Sequence, residues 1–157
     1  MSAKKTNKVL EYLQSLHTAE IGAMGIYMDQ HVRCSNVGLS KLAAMLKDDA
    51  AEEMHHAEEV AERILFLGGS LQYGKHDIPK TGPLDLPEML KLDVEVEKYA
   101  IMQLNGGIRI CADEADNGTR LLLEHILKEE EAHLKDYETM LNHVGKYGDT
   151  YIVQHLL

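Results

Sequence analysis

Two stretches of this 157-residue chain repeat one another in residue types that bind metals. Glu53-Met54-His55-His56 contains Glu-x-x-His, and so does Glu130-Glu131-Ala132-His133. A lone glutamate precedes each by the same interval: Glu20 lies 33 residues before Glu53, and Glu97 lies 33 before Glu130. Residues three apart on a helix share a face, so each motif presents a carboxylate beside an imidazole. Together the six residues make four carboxylates and two imidazoles, the ligand set of a carboxylate-bridged di-iron centre. The pattern assigns Glu20 with His56 to one ion and Glu97 with His133 to the other, with Glu53 and Glu130 as bridges. Four carboxylates balance the charge of two ferrous ions. Hard oxygen donors with two nitrogens suit iron or manganese, and the set holds no thiolate to favour zinc.

Glu-x-x-His alone is a weak signal. Sixteen glutamates and nine histidines give about one copy by chance, and the motif needs its structural context. A third copy, Glu52 to His55, has no matched partner because position 132 is alanine. Any one of the six residues reads most simply as a surface carboxylate or a core histidine. The doubled spacing is what joins them. A buried carboxylate costs several kcal/mol unless a cation or donor compensates it, so four at matching heights need a common partner.

Helices must position these residues. Apolar residues recur at intervals of three and four, which predicts an all-α chain with helices over about 5–34, 39–67, 86–112 and 119–144. On each predicted inward stripe the polar residues sit only near the middle. Ser35-Asn36-Val37-Gly38 and Asp116-Asn117-Gly118 read as short hairpin turns. Asp85, Pro87 and Glu88 read as N-cap, early proline and capping-box glutamate of the third helix. Gly106-Gly107, inside that helix, marks a bend or a close packing. Gly145 is expected to stop the fourth helix, and a short fifth one follows over about 150–157. Antiparallel hairpins set Glu20 level with Glu53 and Glu97 level with Glu130, each roughly 20–25 Å from its turn. The three prolines, 79, 83 and 87, cluster at the connection over 68–85 and the start of the third helix. Extended, that connection reaches roughly 55–60 Å, enough for a long crossover between parallel second and third helices.

Length predicts one domain over 1–157 with a substantial core. The net charge of −10 argues against nucleic-acid phosphate as a partner and suits cation handling, although acidity commonly marks only a soluble surface. No apolar run approaches the ~20 residues of a membrane span, so no membrane partner is expected. Met1 to Lys8 is polar and lysine-rich with no apolar segment behind it, which predicts no signal peptide and a cytoplasmic location. Cys34 and Cys111 lack metal-type spacing and read as reduced thiols.

With these motifs placed, the chain resembles the bacterioferritins from Leu10 to Tyr151. The matches are Glu20 with Tyr27 seven residues on, Glu53-Met54-x-His56-Ala57, Glu62-Arg63-Ile64-Leu65-Phe66-Leu67, Glu97, Glu130-x-x-His133 and the short C-terminal helix. Animal-type ferritins lack the second Glu-x-x-His, and rubrerythrins carry a Cys-x-x-Cys tail that is absent here. The resemblance implies a ferritin-like four-helix bundle with a long crossover and a fifth helix. It implies iron storage with ferroxidase activity: a di-iron centre oxidising Fe(II) with O2 or H2O2, and ferric mineral inside a shell of twenty-four chains. It also implies that Met54 ligates a b-type or related haem shared by two subunits across a dimer axis, and that electrons come from a ferredoxin-type donor. An apolar contact at a helix interface is the plainer reading of Met54. Tyr27 either donates an electron in peroxide turnover or only packs. Asp48, Asp49 and Glu52 are candidate inner-surface acids, and Asp48 stands where the family often has a histidine. His55 is expected outside the ligand set. Two other classes stay open: a rubrerythrin-like di-iron peroxidase or oxidoreductase of low oligomeric state, and a metal-free helical interaction protein. The fifth helix favours a shell over a small bundle.

Overall fold

The computed structural model describes residues 7–74 and 84–157. The extreme N-terminus and the middle of the long connection, with Pro79 and Pro83, lie outside the described residues. Five helices form: α1 Lys8–Asn36, α2 Ser40–Phe66, α3 Leu86–Asp113, α4 Asn117–Tyr147 and α5 Asp149–His155. The first four are each long enough for seven or more turns.

Their ends follow from local chemistry. Asn7 caps α1 by accepting from the Leu10 amide at 3.2 Å, and Asp85 caps α3 by accepting from the Glu88 amide at 3.1 Å. The expected capping box is not what Glu88 builds, since its carboxylate pairs with Lys91 Nζ at 2.6 Å. The α3–α4 turn sits earlier than expected, over 114–116, and Asp116 caps α4 through the Thr119 amide. Gly118 therefore lies inside the first turn of α4, where a Cβ would come within 2.8 Å of the Arg63 guanidinium. That guanidinium donates to Thr119 Oγ1 and Asp116 Oδ1, both at 2.8 Å, and ties the end of α2 to the start of α4. Gly145 does not stop α4. The helix runs on to Tyr147, and Gly148 turns the chain with φ +51°, a region that only glycine enters cheaply. Of the Gly106-Gly107 pair only Gly107 is a close packing: a Cβ there would lie 2.1 Å from the Tyr12 ring, whose hydroxyl donates to the Gln103 carbonyl at 3.1 Å.

Side-chain pairings give the topology. Along α1 and α3, Tyr12 meets Gln103, Tyr27 meets Glu97 and Gln30 meets Asp93, so these helices run antiparallel. Along α2 and α4, Arg63 meets Asp116, His56 meets Glu129 and Asp49 meets Tyr137, again antiparallel. Short turns make α1–α2 and α3–α4 antiparallel hairpins, so α2 and α3 run parallel and the chain must cross the bundle's length between them. The crossover climbs along α1: the Gln14 side-chain amide donates to the Ser70 carbonyl at 3.0 Å, and the Tyr73 ring sits edge-on to His17 at 5.6 Å. Leu84 arrives at the opposite end of the bundle.

The core is in two parts. One cluster gathers Leu13, Leu16, Val60, Ile64, Leu104, Leu123 and Ile126 at the end where α1 begins. The other gathers Leu42, Leu46, Leu90, Val94, Met140 and Val144 at the far end. Burial of such side chains stabilises the bundle by about 1.5–3 kcal/mol each before ordering costs. Cys34 and Cys111 are free, buried and in different clusters, which keeps them from pairing. A belt of charged residues separates the clusters. The fifth helix folds back on the bundle: Leu156 is buried in the far cluster, and its carbonyl accepts from the amides of Lys41 and Leu42 at 3.2 and 3.3 Å. The start of α2, whose cap residue Leu39 offers no side-chain bond, is thus capped by the C-terminal segment. No helix among the described residues is long and apolar enough to cross a membrane.

Candidate metal centre

The belt brings together all six residues that the spacing singles out. Glu20 comes from α1, Glu53 and His56 from α2, Glu97 from α3, Glu130 and His133 from α4, and none is more than 7% exposed. They form two overlapping groups whose ligand atoms all lie within 4.8 Å of one another: Glu20, Glu53, His56 and Glu130, and Glu53, Glu97, Glu130 and His133. Glu53 and Glu130 belong to both. His56 Nδ1 stands 3.6 Å from Glu53 and 3.3 Å from Glu130, while His133 Nδ1 stands 3.8 Å from Glu97 and 3.3 Å from Glu130.

The donor set fits a pair of divalent cations. Glu20 Oε1, Glu53 Oε2, Glu97 Oε2, both Glu130 oxygens and both histidine Nδ1 atoms are buried without a hydrogen-bond partner. Unpaired buried polar atoms are costly, and these converge on one space. Protons occupy the site when cations do not. Burial and Glu53 raise the Glu20 pKa well above the carboxylate range, and burial and Glu130 raise Glu97 to about 10. Burial alone would lower His56, but Glu130, Glu53, Glu20 and Glu129 push it up to about 12. His133 rises to about 10, with Glu130 and Glu97 outweighing burial. Glu130 is held at about 2, because the two histidines overcome its burial. Cations entering the site displace these protons, so binding must weaken as the pH falls.

Spacing alone misses two further residues. His56 Nε2 donates to Glu129 at 2.8 Å, and His133 Nε2 donates to Glu52 at 2.6 Å. Each carboxylate immediately precedes a shared glutamate and crosses to the opposite helix. A bond of this kind fixes an imidazole's orientation and leaves Nδ1 as the nitrogen for a metal. The signal was present: adding 77 to 20, 53 and 56 gives 97, 130 and 133, and adding it to 52 gives Glu129. Glu52 is therefore engaged with His133, although its carboxylate also faces solvent. Asp49 is not a surface acid as expected, since it is buried and accepts the Tyr137 hydroxyl. Asp48 is exposed. His55 is also exposed, beside Glu58 and Glu59, and lies outside both groups.

The same offset fails around the belt. Tyr27 maps to Leu104, Asp49 to Ile126, Val60 to Tyr137 and Leu16 to Asp93. Tyr27, Asp49, Asp93 and Tyr137 therefore have no polar counterparts under the repeat. Tyr27 is fully buried, donates its hydroxyl to Glu97 and stacks on Tyr137 with ring centres 5.7 Å apart. Gln30 donates to Asp93 at 2.6 Å, and burial raises Asp93 to about 7. Met54 is 56% exposed on the outer face of α2, turned by about 100° from Glu53.

The model of the ferritin-like domain family matches residues 10–146. The chain is 35% identical to a bacterioferritin of Desulfovibrio desulfuricans over 147 residues, covering 94% of this chain and 82% of that one. Bacterioferritins of Mycobacterium tuberculosis and Streptomyces coelicolor are each 33% identical, over 90% and 91% of this chain and 88% and 85% of their own. An X-ray structure of the Desulfovibrio desulfuricans bacterioferritin, which concerns its diiron site in different catalytic states, superposes with a TM-score of 0.88 at 33% identity, covering 94% of this chain and 85% of that one. A shared fold, a match along nearly the full length and a buried site built for two cations agree: this chain belongs to the bacterioferritin family.

Proposed function

We propose that this protein is a ferroxidase and iron store, and that copies of it form the hollow shell in which ferric mineral collects. The observation that carries this reading is the pair of four-residue groups that share Glu53 and Glu130. In this reading Glu20 with His56 binds one ferrous ion, Glu97 with His133 binds the other, and the two shared carboxylates bridge. The two ferrous ions together would give two electrons, which with two protons take O2 to H2O2 or H2O2 to two waters. Glu52 and Glu129 hold the imidazoles while the charge at the site changes. Tyr27, whose hydroxyl lies on Glu97, orients that residue and would supply the second electron in peroxide turnover when only one ferrous ion is bound. Met54 ligates a b-type or related haem shared with a second copy across a dimer axis, a role that its outward position suits. Its exposure also suits a plain contact between copies. A ferredoxin-type donor and a cytoplasmic location complete the proposal.

One set of variants tests it. Glu53→Ala and His133→Ala should abolish rapid Fe(II) oxidation at two irons per chain in stopped flow while the helical signal survives. Losing a ligand also relieves repulsion among buried carboxylates, so stability need not fall. Met54→Leu should keep the oxidation and lose the haem spectrum. Unchanged oxidation in both ligand variants would sink the di-iron assignment. A low-mass species by light scattering, active with peroxide and storing no mineral, would favour the rubrerythrin-like reading.

A further inference from the structure

The four helices form a square, α1 beside α2 and α3, and α4 beside α2 and α3, so the α1–α3 side is opposite the α2–α4 side. Both sides lead to the metal centre, and they differ in chemistry. On the α2–α4 side the solvent-facing carboxylates of Glu52 and Glu129 lie directly on the two imidazoles. On the α1–α3 side a groove of about 360 Å³ opens. Small residues make it: Ala19, Gly22 and Ala23 on α1 and Ala100 on α3. Ile26 and Val96 add apolar wall, and Glu20, Glu53 and Glu97 line its inner end. Those three carboxylates are nearly inaccessible, at 1–3% exposure, so the groove is where the outside comes nearest to them from this side.

A hydrated cation and a neutral diatomic molecule meet this groove differently. Past the solvent-facing Glu95, Tyr99 and Gln103, of which Glu95 pairs with Lys98 and Gln103 donates to the Tyr99 hydroxyl, the cation would have to shed water against hydrocarbon walls that offer no ligand before the inner end, at large cost. A neutral, apolar molecule loses nothing there, and apolar cavities in proteins accept xenon for the same reason. We propose that the α1–α3 groove admits dioxygen to the centre, and that cations reach it elsewhere. The inference rests on the ferroxidase reading. It makes Ala23 and Ala100 specificity-determining residues, since their small side chains keep the passage open while neither touches a metal ligand through a polar atom.

The test uses the full-length protein. Crystals pressurised with xenon should show it in the wild-type groove, and Ala23→Leu and Ala100→Leu, made separately, should each displace it. Both variants should bind two Co(II) per chain at the wild-type rate and affinity, which also reports that the site is folded. Under limiting dioxygen their Fe(II) oxidation should be about tenfold slower, the change that an added barrier of about 1.4 kcal/mol produces. Filled variants that oxidise iron as fast as wild type under limiting dioxygen would overturn the proposal, as would a wild-type groove that takes no xenon. Slowed Co(II) uptake in parallel with oxidation would also overturn it, by making the groove a cation route. A wild-type protein that binds Co(II) and oxidises no Fe(II) defeats the ferroxidase reading itself, and the groove's role with it. A failure of the groove alone leaves wild-type oxidation intact.

Discussion

A neutral imidazole has one lone pair, and the hydrogen bond made by one ring nitrogen decides where the other can bind. In His56 and His133 that bond runs from Nε2 to Glu129 and Glu52. Both carboxylates are partly solvent-exposed, at 37% and 54% of their side chains, so replacing them leaves no buried cavity. Glu52→Ala and Glu129→Ala should each weaken Co(II) binding about 10- to 100-fold by calorimetry. The Gln variants, which keep an acceptor oxygen, should recover part of the loss. Unchanged affinity in the Ala variants would mean that packing alone orients the rings. The six residues that converge were legible from one interval of 33 residues. The residues behind them were not, because a carboxylate that reaches across to another helix has no fixed sequence distance from the ring it holds. Only carrying the 77-residue repeat beyond the ligands exposes the pairing.

Along each helix, the apolar periodicity placed the ends to within a few residues, and the errors fall at glycines. Gly145 sits in a helix that continues because nothing opposes it, with no atom near its missing Cβ, and Gly148 supplies the positive φ instead. Gly118 looked like a turn and is a seat for Arg63. The polar residues of α3 have a measurable consequence. Asp93 is fully buried, with one oxygen unpaired, and burial raises its pKa from the ordinary carboxylate range to about 7, despite the bond from Gln30. A carboxyl whose folded pKa lies above its unfolded one favours the fold while protonated. The contribution of Asp93 to stability therefore falls as the pH rises from about 4 to about 7 and is flat above that window. Asp93→Asn mimics the protonated form. Metal-free Asp93→Asn protein should match wild type near pH 4 and exceed it by roughly 2–4 kcal/mol above pH 7 in urea unfolding. Equal stability of the two proteins at pH 8 would show that the buried carboxyl carries no such penalty.

For the whole molecule, the C-terminal segment 149–157 has two faces. Leu156 is buried and caps α2, while Val153 and Leu157 are 60% and 44% exposed. The segment is therefore part of its own bundle as well as a candidate contact between copies, and deleting 149–157 would confound the two. Point changes separate them. Leu156→Ala should cost the bundle about 2 kcal/mol or more in thermal unfolding. Val153→Glu should change subunit stability by less than about 0.5 kcal/mol and lower the assembled mass in light scattering if this face covers another copy. A full-sized Val153→Glu shell would place the contacts elsewhere. The unequal surroundings of the two half-sites reach furthest. Glu97 is fixed in advance by the Tyr27 hydroxyl, whereas the repeat position that would serve Glu20 in the same way is Leu104, which has no hydrogen-bonding side chain. A ligand already immobilised loses less rotamer freedom when it binds. The duplicated centre should thus have a settled berth and a transit berth: the Glu97–His133 position fills first and empties last, and Glu20 can swing an ion in or out. Co(II) titration should show two steps, and Tyr27→Phe should draw them together.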